Sequence, residues 1–126
     1  MGHGRGRDHQ DAALMDANAF LALALGLPET EVGSHMGNPD IRVRGKIFAG
    51  PAGAGGRAIL KLTPEQQEMM CDAEPSIFAR EDGYWGRMGW TWFVIDGADE
   101  ATAVSALWSA WRNVAPKGLA KVYPPA

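Results

Sequence analysis

A chain of 126 residues, 46% hydrophobic and 21% charged, matches one ordinary domain closing a single core; it is too apolar for disorder, yet no run nears the roughly 18 apolar residues of a membrane helix. A formal charge of −3 and a pI near 5.5 stand against nucleic-acid binding by overall charge. The lone Cys71 rules out an internal disulfide and, with three His, two of them close to the N-terminus, leaves no ligand set for a protein-built zinc site, so a soluble cytoplasmic protein without a cofactor is expected.

Residues 1–14 alternate glycine with charges and read as a loose tail ahead of a single domain over 15–123. Asp16 is a good N-cap, and Ala17, Phe20, Leu21, Ala24 and Leu25 recur at helical spacing until Gly26 and Pro28, predicting a helix over 17–26. The apolar run Ala19 to Leu25 has no basic segment before it and no cleavage signal after it, which argues against a signal peptide.

From Glu31 the hydrophobic period changes to two. Thr30 to Met36 is a predicted strand, Gly37-Asn38-Pro39 a turn, and Asp40 to Val43 a second strand. Arg44-Gly45 reads as a two-residue hairpin loop that would pair Val43 with Lys46, Arg42 with Ile47 and Ile41 with Phe48, although Arg44 is a poor residue for the positive φ of a type I′ turn. Gly50 to Gly56 lacks the Gly-Lys-Ser/Thr ending of a phosphate loop and leads into a strand, so it is a flexible connection. In Arg57 to Leu62, Ala58, Leu60 and Leu62 share one face and Arg57, Ile59 and Lys61 the other. Stacked on the hairpin, that second face adds Arg57 and Lys61 to Arg42.

Thr63-Pro64-Glu65-Gln66 carries an N-cap, Pro at the first helical position and the closing residue of a capping box, with Met69, Met70 and Ala73 as the expected buried side and Pro75 as the stop. Cys71 has no His or basic neighbour and reads as an inert core or boundary thiol. A short strand is expected within Ile77 to Arg80, then a turn at Glu81-Asp82-Gly83. Trp90 to Ile95 follows as a strand that is either buried on both faces or shows Trp90 and Trp92 to a ligand. Asp96 to Glu100 caps a last helix with Val104, Leu107, Trp108 and Trp111 on one stripe, and Pro116 to Tyr123 forms a closing turn and tail. This order predicts an α+β two-layer domain with helices on an antiparallel sheet.

Four segments, SHMGNPDIRVRGKIFA, LKLTPEQQ, Trp85 to Trp90 and Ala110 to Lys117, together resemble the MmcQ/YjbR family of small bacterial proteins over about residues 15 to 121. The resemblance implies a frataxin-like or secretion-chaperone-like fold and DNA binding through a double-wing motif, with no established reaction. The wings would be the Arg42 to Lys46 hairpin and the glycine-rich connection; Arg44 departs from the Gly that relatives often carry.

The residues themselves support an anionic partner to a limited degree. Between Ser34 and Thr63 five cations, Arg42, Arg44, Lys46, Arg57 and Lys61, face one carboxylate, Asp40. With Trp90 and Trp92 as stacking surfaces they are the expected nucleic-acid-binding set, giving weak electrostatic binding, while no helix carries the polar face that major-groove reading needs. The competing reading has these cations only solvate an open sheet face and blunt its edge. Two alternatives stay open. An exposed Trp-rich strand or a stripe of Trp108 and Trp111 would suit a protein partner or homodimer, and His35 with Asp40, Lys46 and Lys61 would suit a small-anion binder or an enzyme, although no nucleophile or metal cluster completes a catalytic set. No catalytic or metal-binding residue is assigned.

Overall fold

Capping chemistry sets where three of the described helices begin. The computed structural model describes residues 15–35, 37–51 and 56–125, so the expected tail over 1–14 and most of the glycine-rich connection lie outside it. Helix α1, Ala17–Leu25, starts where the Asp16 carboxylate accepts the Ala19 N–H at 2.8 Å. Helix α2, Pro64–Ala73, opens on a closed capping box: the Gln66 N–H donates to Thr63 Oγ1 and the Thr63 N–H donates to Gln66 Oε1, each at 3.0 Å. A short α3, Gly83–Arg87, follows; α4, Glu100–Val114, is capped by Asp99 rather than from Asp96, and α5, Lys117–Val122, makes the expected closing turn helical. Among the described residues no helix is long and apolar enough to cross a membrane.

The strands are β1 Thr30–His35, β2 Asn38–Val43, β3 Lys46–Pro51, β4 Arg57–Lys61, β5 Phe78–Arg80 and β6 Trp90–Val94. Among the described residues they form one antiparallel sheet in the order β1-β2-β3-β4-β6-β5, with β1 and β5 as its edges. The fold is therefore the expected α+β domain. Helices α1 and α4 pack on the sheet and α2 packs against β5. Phe20 and Ala24 of α1 and Ala103, Leu107, Ala110 and Trp111 of α4 are buried in one core with Ile41, Val43, Phe48, Ala58, Leu60 and Phe93. Each large side chain so buried contributes roughly 1.5–3 kcal/mol. The Trp111 indole N–H, deep in that core, is satisfied by the Pro28 carbonyl at 2.9 Å.

Three expectations change. The hairpin pairs Val43 with Lys46 and Arg42 with Ile47 as expected, but Ile41 pairs with Ala49 because a bulge intervenes, and Phe48 and Ala49 are both buried. In α2 it is Gln67 that is buried, whereas Met69 is 60% exposed and Ala73 is also exposed. The reason is polar: the Gln67 amide donates to the Trp90 carbonyl at 3.0 Å and to Thr91 Oγ1 at 3.1 Å. In α4, Trp108 is only half-buried, its ring edge-on to Trp111 at 5.3 Å and close to Tyr123.

Candidate nucleic-acid interface

Strand register decides which cations meet. In β4, Ala58 and Leu60 are buried while Arg57, Ile59 and Lys61 alternate onto the other side, opposite Val94, Trp92 and Trp90 of β6. Arg42 and Ile47 of the hairpin share that side. The outward side of β6 is half-buried, not fully enclosed, so its two indoles are partly accessible.

The cations do not contribute equally. Arg42 donates through Nε and Nη2 to the Asp40 carboxylate at 2.8 and 3.1 Å, and through Nη2 to the Ser34 carbonyl at 3.3 Å. Its side chain crosses Gly33, where an added Cβ would collide with Nε, so the glycine makes room for the pair. Asp40 is nearly buried, and the guanidinium offsets a desolvated charge that would otherwise be costly. Arg44 is similarly committed: it makes a two-pronged pair with the Glu29 carboxylate, one prong of 3.1 Å from Nη2 to Oε2. Two of the five expected phosphate ligands are thus neutralised by local partners.

Arg57 and Lys61 are placed differently. The Arg57 guanidinium lies 4.1 Å from the centre of the Trp92 ring, a cation–π contact, and the Trp92 indole N–H donates to Glu81 Oε1 at 3.0 Å. Lys61 Nζ donates to the Met88 carbonyl at 2.6 Å and the Leu62 carbonyl at 3.4 Å. Partial burial lowers its pKa, but its partners are neutral carbonyls, so the positive charge is not cancelled. Among the described residues neither side chain has a carboxylate at ion-pair distance. Lys46 stands opposite Val43, whose side chain points into the core, and so belongs to the other side of the sheet.

The remaining predicted positions do not converge. The Arg44-Gly45 loop joins β2 to β3 at Lys46, one end of a strand roughly 20 Å long that ends at Pro51, and the expected second wing after Pro51 lies outside the described residues. His35 pairs with Asn38 and Lys46 with Val43, at opposite ends of β2, and the intervening Asp40 is taken by Arg42. The register therefore does not bring the His35 and Lys46 positions together.

One surface escaped the sequence reading. Helix α3 presents Tyr84, Trp85 and Met88 at 57, 60 and 45% exposure, with the Tyr84 and Trp85 rings edge-to-face at 5.2 Å. The signal is the spacing of three apolar side chains over one helical turn, masked because two of the helix's five residues are glycines. Asn113 was likewise overlooked: its amide donates to the Lys61 carbonyl at 3.1 Å and to Gln66 Oε1 at 2.7 Å, tying α4 to the start of α2. Among the described residues no three His, Cys, Asp or Glu side chains cluster closely enough to hold a metal ion.

Comparison with known proteins supports the architecture. The family model described as YjbR matches residues 25–113. The crystal structure of a Deinococcus radiodurans protein with a DUF419 domain superposes with a TM-score of 0.69 at 19% identity, over 86% of this chain and 85% of the other. At that identity the likeness speaks for the fold. No curated protein matches the chain.

Proposed function

The chain belongs to the YjbR family, and we propose that it is a non-catalytic protein that binds single-stranded DNA weakly across the outward side of β4 and β6. Trp90 and Trp92 stack bases in this reading, and Arg57 and Lys61 meet the flanking phosphates. One observation carries it: two partly accessible indoles share a side of the sheet with two cations that have no carboxylate partner among the described residues, Lys61 opposite Trp90 and Arg57 over the Trp92 ring. The guanidinium on Trp92 extends the stacking surface, because its plane receives a base as an aromatic ring does. A single strand suits this better than a duplex, since unpaired bases can stack on the partly accessible Trp90 and Trp92.

The magnitudes keep binding modest. Stacking is worth about 1–3 kcal/mol per base, and two phosphate contacts give a salt slope of roughly −1.4 for a single strand. The test is fluorescence anisotropy of a labelled oligo-dT across a salt series. The Arg57→Ser, Lys61→Ser double variant is expected to flatten the slope, Trp92→Ala to weaken binding by about tenfold or more, and Arg44→Ser to leave it unchanged. If the double variant binds with the wild-type slope while its circular dichroism is native, the assignment fails.

A second reading, a surface for another protein, is favoured by the exposed Tyr84, Trp85 and Met88. Light scattering that finds a dimer, reverting to monomer in Trp85→Ser, would shift the assignment to that class.

A further inference from the structure

A cleft of about 560 Å³ lies between α2, the end of β5 and α3. It faces away from the outward side of β6, because Arg80 stands opposite Thr91, whose side chain is fully buried on the helical side. One wall is a single stripe of α2 in which Pro64, Glu68, Cys71 and Asp72 follow at helical spacing. The other wall is lined by two arginines, Arg80 from β5 and Arg87 from the last turn of α3. The stem of Arg80 rests beside Gly86, which has no side chain to displace it.

The charges across this cleft are matched in kind but not joined. Glu68 and Asp72 are four residues apart on one helix, an unfavourable arrangement of like charges. Two arginines line the same cleft, yet among the described residues no Arg–carboxylate pair spans it within ion-pair distance. The space between the walls is of the size that takes a small molecule. A polyanion is disfavoured there by the two carboxylates and a polycation by the two guanidiniums, so the complementary ligand bears one charge of each sign at separate ends.

We propose that this cleft binds a small zwitterion, a free amino acid or a dipeptide, with its carboxylate between Arg80 and Arg87 and its ammonium against Glu68 and Asp72. Arg is well suited to hold the carboxylate by two parallel hydrogen bonds. Cys71 lies along the wall as a soft contact for the ligand's carbon skeleton; burial and the adjacent Asp72 both raise its pKa, so little of it is thiolate.

Isothermal titration calorimetry with free glycine, lysine and glutamate and with glycylglycine, against acetate and ethylamine as the isolated ends, tests this. Zwitterions are expected to bind at millimolar concentration or below and the isolated ends not to bind; which zwitterion binds best separates the amino-acid source from the peptide source. Arg87→Ser and Glu68→Gln, both at exposed positions, are each expected to weaken binding about tenfold. A bound ligand also slows alkylation of Cys71, the one thiol in the chain, which reads occupancy independently. Acetate binding as tightly as the zwitterions, no binding by any of them, or binding indifferent to both substitutions overturns the proposal. The Arg57→Ser, Lys61→Ser variant should bind the zwitterion normally, so failure of the DNA assignment and failure of this one are told apart.

Discussion

Arg44 and Glu29 are the non-glycine residues with positive φ among those described, at 50° and 55°, and they are bonded to each other. With Gly45 at 84°, Arg44 completes a type I′ turn, the geometry that suits the twist of a two-residue hairpin. A left-handed backbone is uncommon for such residues, and a pair of exposed side chains offsets it only in part. Arg44→Gly is therefore expected to leave the melting temperature unchanged or raised by a few degrees, and Arg44→Val to lower it; a clear loss in Arg44→Gly would show that the ion pair matters more than the backbone. The hydrogen bond from Arg44, and then its charge, hold Glu29 below its ordinary pKa of 4.5. A carboxylate lowered on folding stabilises above its unfolded pKa and loses that contribution as pH falls through the folded value. The small difference in urea midpoint between wild type and Glu29→Gln should thus be present at neutral pH and vanish in acid. That Arg44 sits in a turn is legible from its neighbour Gly45. Its partner, fifteen residues earlier in another turn, is not, because nothing local in the chain encodes that approach.

At the scale of elements, the junction of α3 with β6 rests on two glycines. Gly89, at φ 104°, sends its carbonyl to the Leu62 N–H at 3.1 Å, and a side chain there would be driven into the Leu62 carbonyl oxygen. Gly86 is pressed as closely on the Glu81 carbonyl. These are backbone atoms of paired segments and cannot yield cheaply. Gly89→Ala is expected to cost more than about 4 kcal/mol in chemical denaturation or to prevent folding, whereas Gly118→Ala, in open space on α5, should stabilise by about 0.5–1 kcal/mol. Similar losses at both positions would show that the close approach is not what Gly89 serves. The capping box of α2 could be read from Thr63-Pro64-Glu65-Gln66 because capping is a contact between near neighbours. The burial of Gln67 in place of Met69 could not, since it depends on the Trp90 carbonyl and Thr91 arriving from β6.

Over the whole molecule, cohesion is uneven. Helix α4 buries Ala103, Ala106, Leu107, Ala110 and Trp111 against the sheet, while α2 buries Gln67 and packs Met70 and Cys71 on the core only in part, with polar ties at its N-terminal end. Native-state hydrogen exchange should find α2 amides exchanging at least about tenfold faster than those of α4, through a partial opening that leaves the sheet intact. Equal protection in the two helices would mean that they open only together. The layer arrangement was legible because alternation in β4 and helical spacing in α1 and α4 separate inside from outside without ambiguity. The cationic face was legible only as a list of charges: sharing a side follows from alternation, but capture of Arg42 by Asp40 and of Arg44 by Glu29 does not. The two borders of the sheet also differ. β5 has three residues, whereas β1 has six and carries Val32 at 48% exposure. A sheet with one long margin and one stub can be lengthened once and then has nothing further to offer. Copies meeting margin to margin would use up what each has, and growth would halt at a pair, not run on into a fibre.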